Sequence, residues 1–307
     1  MPNPTDTEPP KPRIFIQAND KQSVGALVSA YSMKRNSAHA DRFDVTVIRQ
    51  EDYPFFRARE GQTYRRHGVN RVWRNEDLQS FTLVRFFPPE MMGYRGRALV
   101  VDPDVFAVGD VWELLSRDMQ GKAIMCRGSK FKNGAFATSV MLLDCEKLSH
   151  WNVEQGFSEL FEGKRDYHEW ISLLMEPRDS IGTFEDEWND FDRLTPRTKM
   201  LHNTRRRTQP WKSGLRVDYT PTEFVPIIGW IMRARRAIFG DHGLLGRYAR
   251  HPDKKQEDFF FGLLQECLEK GIVDKATLEN AMKHNFIRHD ALDMVARAPR
   301  LSYSAVS

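Results

Sequence analysis

Apolar positions cluster into short runs over the first half of the chain. Residues 13–18 (RIFIQA) are apolar and end at Asn19 and Asp20. Residues 23–36 then place Val24, Leu27, Val28 and Tyr31 on one face of a helix. Residues 43–48 (FDVTVI) alternate as a strand does. The order strand, helix, strand predicts an α/β sheet with helices packed against it. Residues 49–80 are polar, rich in arginine and without periodicity, and residues 81–92 start with helical spacing that Pro88-Pro89 breaks. Further strands are expected at 98–101 (ALVV), 124–125 and 140–143, residues 105–108 are again apolar, a helical turn is expected at 110–115, and helices around 151–160 and 168–175. Beyond residue 214 the spacing becomes mostly helical, over 224–239, 257–269 and 275–284. The expected organisation is a flexible proline-rich tail at 1–12, a domain over 13–214 and a helical region over 215–307.

Composition narrows the picture. Among 307 residues, 46 Lys and Arg stand against 42 Asp and Glu, a formal charge of +4. So small an imbalance argues against a dedicated nucleic-acid binder. Three widely spaced cysteines, Cys126, Cys145 and Cys267, fit neither a disulfide framework nor a cysteine zinc site. With no leader-like apolar stretch and no run long enough to span a bilayer, a reducing, cytoplasmic setting is expected.

Two segments carry candidate chemistry. The strand at 98–101 runs into Asp102-Pro103-Asp104. Ligands of open α/β sheets bind outside the carboxyl ends of strands, and a proline there turns the chain so that both carboxylates can reach one hard cation. A solvated acidic turn is the plainer reading, since Asp and Pro are common turn residues. The second segment, residues 200–212 (MLHNTRRRTQPWK), offers His202 as a third ligand suited to manganese and Arg205, Arg206 and Arg207 as partners for a diphosphate. Its plainer reading is a core histidine beside a surface basic turn.

Taken together, these segments resemble the retaining glycosyltransferases of family 8, which include glycogenin and lipopolysaccharide glucosyl- and galactosyltransferases. Residues 94–115 (YRGRALVVDPDVFAVGDVWELL) look like that family's strand and Asp-x-Asp motif, and 201–212 (LHNTRRRTQPWK) like its late His…Lys-Pro-Trp motif. Residues 187–194 (EWNDFDRL) resemble its Trp-Asn stretch, and the opening IQANDKQSVGALVSAYSMKRNS its first nucleotide-binding strand and helix. The resemblance covers roughly 13–214.

The resemblance implies a GT-A fold, a Rossmann-like α/β sheet with a metal and a nucleotide sugar at its strand ends, here with a helical C-terminal extension. It implies transfer of a sugar from a nucleotide diphosphate, UDP by analogy, to an acceptor hydroxyl with retention. Carried over by position, Asp102, Asp104 and His202 are ligands of Mn2+ or Mg2+, and Asn19, Asp20, Arg85 and Pro103 hold the nucleotide. Arg205, Arg206 and Arg207 stand in for the diphosphate-binding lysine, because Gln209 occupies its place. Thr138 and Ser139 lie in Phe136-Ala137-Thr138-Ser139-Val140, where relatives have Phe-Asn-x-Gly-Val, and His168-Glu169 match an Asp-Gln pair. These four are assigned to donor sugar or acceptor.

Two other functions remain open at this level. Asp102 and Asp104 after a strand also resemble the nucleophile and general acid of haloacid-dehalogenase-type phosphatases. The altered motif positions also fit a degenerate transferase that binds a nucleotide sugar without turnover. In the C-terminal region, residues 227–239 mix aromatic, aliphatic and basic side chains, as an interfacial helix touching a membrane would. Phe259, Phe260, Leu263, Leu264, Cys267 and Leu268 repeat at helical spacing and read as a packed stripe.

Overall fold

The computed structural model describes residues 10–77, 80–128, 135–218 and 246–302. The chain divides into two compact units, one running to His202 and one over Asn203–Ser302.

The first unit holds all eleven named strands of the described residues. They are β1 (Arg13–Ala18), β2 (Asp44–Arg49), β3 (Thr63–Arg66), β4 (Val69–Val72), β5 (Arg97–Val101) and β6 (Val105–Ala107). Then follow β7 (Ile124–Gly128), β8 (Phe136–Asp144), β9 (Ile181–Phe184), β10 (Asp190–Phe191) and β11 (Met200–His202). Six of them form the central sheet, in the order β2-β1-β5-β8-β7-β9. β1 pairs in parallel with β2 and β5, and β7 in parallel with β9; β8 is antiparallel to both β5 and β7. The result is the expected Rossmann-like α/β sheet with one reversed strand. Ile14, Ile16, Leu99, Val100, Val101, Leu142 and Leu143 are fully buried, as continuous apolar strands with both faces covered require. Helix α1 (Ser23–Arg35) lies against the sheet and buries Val24, Ala26, Val28 and Met33.

Three expectations change. Residues 49–80, which show no period, include the antiparallel hairpin β3–β4. Its anchors are aromatic rather than periodic: Tyr64 and Trp73 pack among Phe56, Phe157, Phe161 and Tyr167. Residues 80–86, expected to start an α-helix, form a seven-residue 3-10 helix, and Pro88-Pro89 open a separate short turn. β-branched Thr82 and Val84 and the following prolines disfavour a regular α-helix there. β8 begins at Phe136, four residues before the expected strand, because Thr138 and Ser139 bond side chain to side chain within the fold and so extend it.

In the second unit, helices span Lys254–Glu269, Lys275–Lys283 and Ala291–Arg297. Phe260, Leu263, Leu264 and Cys267 are buried, and Phe260 meets Trp211 at 4.8 Å between ring centroids. Phe261 is buried as well, while Phe259 and Leu268 are half-buried. Residues 224–239, including the basic aromatic segment, lie outside the described residues. Among the described residues no helix is long and apolar enough to cross a membrane.

One side chain ties the β3–β4 hairpin to the helical turn that starts at Tyr167. The Asp166 carboxylate accepts backbone N–H groups of His67 and Gly68 in the hairpin turn, at 3.1 and 2.8 Å, and caps the turn starting at Tyr167 through the His168 N–H at 2.8 Å. Burial raises the Asp166 carboxyl, and these N–H groups outweigh it, so the group sits below its ordinary range. A depressed folded pKa stabilises above the unfolded pKa and loses that contribution as pH falls through the folded one. Asp166→Ala is therefore expected to cost about 0.5–2 kcal/mol at neutral pH. In urea unfolding that difference should shrink in acid; a difference independent of pH would contradict the assignment.

Candidate functional site

The Asp102-Pro103-Asp104 turn begins where β5 ends. The Val105 N–H donates to the Asp102 carbonyl at 3.2 Å, closing a tight turn with Pro103 at its second position. Proline's fixed φ suits that position, and the turn brings both carboxylates to the mouth of the sheet. The turn is held from below by α1. Gly25 lets the helix approach so closely that a Cβ there would lie 2.9 Å from the Pro103 carbonyl oxygen, and Ser29 Oγ donates to the Val105 carbonyl at 2.6 Å.

His202 arrives from a hundred residues away through a second, smaller sheet. β6, immediately after the aspartate turn, pairs antiparallel with β11, and His202 stands opposite Val105. β10 adds in parallel on the other side of β11, with Phe191 opposite His202. This register sets His202 Nε2 3.3 Å from Asp104 Oδ1. One ligand atom from each of Asp102, Asp104 and His202 falls within 4.8 Å of the others.

Buried polar side chains surround this triad. Arg85, only 7% exposed along its side chain, reaches from the 3-10 helix and donates through Nη2 to Asp102 Oδ1 at 2.9 Å and Oδ2 at 3.3 Å. Its Nη1 donates to Thr138 Oγ1, which in turn donates to the Ile171 carbonyl at 2.7 Å. Gln17, from the end of β1, donates through Nε2 to Asp102 Oδ1. Ser139 accepts the Asp102 N–H on its carbonyl at 2.9 Å, and its Oγ accepts from Asn189 Nδ2 at 2.9 Å. Asn189 Oδ1 faces His202 Nδ1 at 2.8 Å.

Electrostatics follow from that crowding. Burial pushes the Asp102 carboxyl up to about 6; Arg85 opposes the rise and Asp104 adds to it. Burial pulls His202 down, and Asp104 and Asp102 more than offset it, so the imidazole sits above its ordinary value.

The other residues singled out in the sequence are dispersed. Asn19 is buried at the end of β1, whereas Asp20 is exposed and paired with Arg49. Pro103 is buried under α1. His168 stacks on His67 at 3.9 Å beside the hairpin, and burial lowers its pKa; Glu169 is exposed. Arg205, Arg206 and Arg207 belong to the second unit, with Arg206–Thr208 forming a 3-10 turn and Arg205 and Arg207 exposed. In that unit Lys212 is wholly buried, with Nζ 3.1 Å from Asp218 Oδ2. Gln17 and Gly25 fall within the opening stretch, and Asn189 within the Trp-Asn stretch, that the resemblance picked out, but no role was legible there for any of the three. Gln17 is the polar member of an otherwise apolar strand and Gly25 a glycine inside a helix, two local signals that could have marked them.

The donor set suits a divalent cation. Two carboxylates and an imidazole form an oxygen–nitrogen site of the kind manganese accepts. Gln17 Oε1 and Arg85 Nε, both on side chains that touch Asp102, are buried without a hydrogen-bond partner, which leaves polar capacity beside the triad that the fold does not use.

No protein-family model matches the chain, and no curated protein matches it in sequence. Among solved structures the chain is similar to the galactosyltransferase LgtC in complex with donor and acceptor sugar analogues. The identity is 15% over 65% of this chain and 89% of that one, with a TM-score of 0.47. It is also similar to the glycosyltransferase GlyE of Streptococcus pneumoniae, at 15% identity over 85% of this chain and 64% of that one, TM-score 0.47. Mouse xyloside xylosyltransferase 1 matches at 12% identity over 63% of this chain and 98% of that one, TM-score 0.40. None of these three likenesses reaches a TM-score of 0.5, so none assigns an activity to this chain.

The close approach of α1 to the aspartate turn yields a direct test. The Pro103 carbonyl that a Cβ at Gly25 would meet is backbone, which cannot swing aside as a side-chain end can. Gly25→Val should cost about 1–3 kcal/mol by overpacking. It should also weaken any divalent-cation binding at the triad, read with Mn2+ as the probe, because the displaced segment carries Asp102 and Asp104. Calorimetric titration of a folded variant with undiminished Mn2+ affinity would show that α1 does not support the turn.

Proposed function

We propose that this protein is a metal-dependent glycosyltransferase of the GT-A kind, moving a sugar from a nucleotide diphosphate sugar to an acceptor hydroxyl. One observation carries the reading. Asp102, Asp104 and His202, separated by up to a hundred positions and singled out together by resemblance to family 8, converge within 4.8 Å at the carboxyl end of β5. The phosphatase reading leaves His202 without a role at that point.

In this reading Asp102, Asp104 and His202 hold Mn2+ or Mg2+, which when bound neutralises charge gathering on the departing diphosphate. Asp104 and His202 face one another directly, whereas Asp102 is oriented by Arg85 and Gln17. The Arg85 guanidinium, held between Asp102 and Thr138, supplies fixed positive charge beside the metal. Asn19, with its buried unpaired oxygen, is suited to accept a hydrogen bond from the nucleoside, and the neighbouring Asp20 borders it. One of Arg205, Arg206 and Arg207 provides the charge that lysine gives the relatives. During transfer the bond from the anomeric carbon to the diphosphate oxygen breaks, the acceptor oxygen bonds to that carbon with retention, and the acceptor's proton passes to the released diphosphate. UDP is the nucleotide the resemblance favours, and Thr138, Ser139, His168 and Glu169 are the positions it assigns to donor sugar or acceptor.

The test is release of nucleoside diphosphate from a panel of nucleotide sugars, with Mn2+ and with chelator. Turnover should need the cation and fall about 100-fold or more in Asp104→Asn, the scale seen when one stabilising group is lost from a preorganised site. Single alanine substitutions at Arg205, Arg206 and Arg207 should include one that lowers kcat more than it raises the donor KM. Failure of every nucleoside diphosphate to bind, with and without Mn2+, would reject the proposal.

A further inference from the structure

We propose that Asn189 is a positioning residue that fixes the hydrogen of His202 on Nδ1 and so presents the Nε2 lone pair to the cation; this rests on the metal site proposed above. Asn189 is completely buried at the end of the 3-10 turn Asp186–Asn189, one residue before β10. Its Oδ1 lies 2.8 Å from His202 Nδ1. A carbonyl oxygen has no hydrogen to give, so the hydrogen in that contact belongs to the imidazole. The other nitrogen, Nε2, is the one aimed at Asp104. A neutral imidazole with its hydrogen on Nδ1 has its one lone pair on Nε2, where a ligand nitrogen is needed.

Asn189 is held through its side-chain amide and its backbone carbonyl, so it can impose an orientation. Its Nδ2 donates to Ser139 Oγ at 2.9 Å, and its backbone carbonyl accepts from Arg127 Nη1. Arg127 in turn lies over the Phe191 ring at 4.0 Å, and Phe191 meets the His202 ring edge-on at 5.3 Å. Ser139 is the shared strut of both halves of the site: its hydroxyl steadies Asn189 and its carbonyl holds the Asp102 N–H. The reversed amide, with Nδ2 against the ring, would move the hydrogen to Nε2 and close that nitrogen to a cation. Outer partners that orient a metal-binding histidine in this way commonly govern affinity by 10–100-fold.

The experiment needs two readouts, one of them free of metal. Long-range 15N–1H correlation spectra of histidine-labelled, metal-free protein, recorded at a pH above the raised titration range of His202 so that the ring is neutral, show which ring nitrogen carries the hydrogen, with His202 identified by loss of its signals in His202→Gln. The hydrogen should sit on Nδ1 in the wild type and in Asn189→Asp, which keeps an acceptor facing Nδ1. It should lose that preference in Asn189→Leu, which has none. Mn2+ calorimetry on the same proteins should show a dissociation constant raised about 10–100-fold for Asn189→Leu and nearly restored for Asn189→Asp. A wild-type His202 with its only hydrogen on Nε2 overturns the proposal without any variant. So does a folded Asn189→Leu protein with unchanged ring protonation and unchanged Mn2+ affinity. A wild type that binds no Mn2+ while keeping the hydrogen on Nδ1 overturns the metal site itself and not Asn189's hold on the ring.

Discussion

The pairing of β6 with β11 is the constraint on which the candidate site depends. β6 starts one residue after Asp104, and β11 ends on His202, so the register that opposes Val105 to His202 also places the imidazole beside the second aspartate. A strand pairing shifted by one residue would turn His202 to the other face. Three features oppose such a slip: Leu201 and Met200 are fully buried, β10 pairs with β11 on its free edge, and the Asp192 N–H donates to the His202 carbonyl at 2.8 Å. Two short strands thus do for the histidine what the β5 turn does for the aspartates.

The cost of this arrangement is charge taken out of water. Arg85 and Asp102 form a largely buried ion pair, and such pairs contribute to stability only when their remaining hydrogen bonds are met. Here Thr138 and Gln17 meet most of them, yet Arg85 Nε and Gln17 Oε1 stay unpaired. A core selected for stability alone has no use for two adjacent carboxylates, an imidazole and an arginine with unused hydrogen-bonding capacity. Polar groups left this way at the carboxyl end of a sheet fit a place where a ligand completes the set.

Much of this was legible in the sequence because it rests on local signals. The β-α-β opening follows from apolar runs and helical spacing, and the aspartate turn from a strand running into Asp-Pro-Asp. Resemblance named His202, a partner that no local pattern could attach to residues a hundred positions earlier. The hairpin β3–β4 was not legible, since it is held by Tyr64 and Trp73 in an aromatic cluster and not by alternation. Nor was the early start of β8, where Thr138 and Ser139 look like loop residues until their partners Arg85 and Asn189 are in place. Gln17 and Asn189 act through contacts across 85 and 13 positions; Asn189 lies in the Trp-Asn stretch that the resemblance marked, yet only the fold brings it to His202.

Anomalous diffraction from crystals grown with Mn2+ tests the central claim most directly. A single manganese peak should lie between the Asp104 carboxylate and His202 Nε2, with Asp102 on its near side. A peak elsewhere, or a His202 ring turned away from Asp104 in the presence of saturating Mn2+, would contradict it.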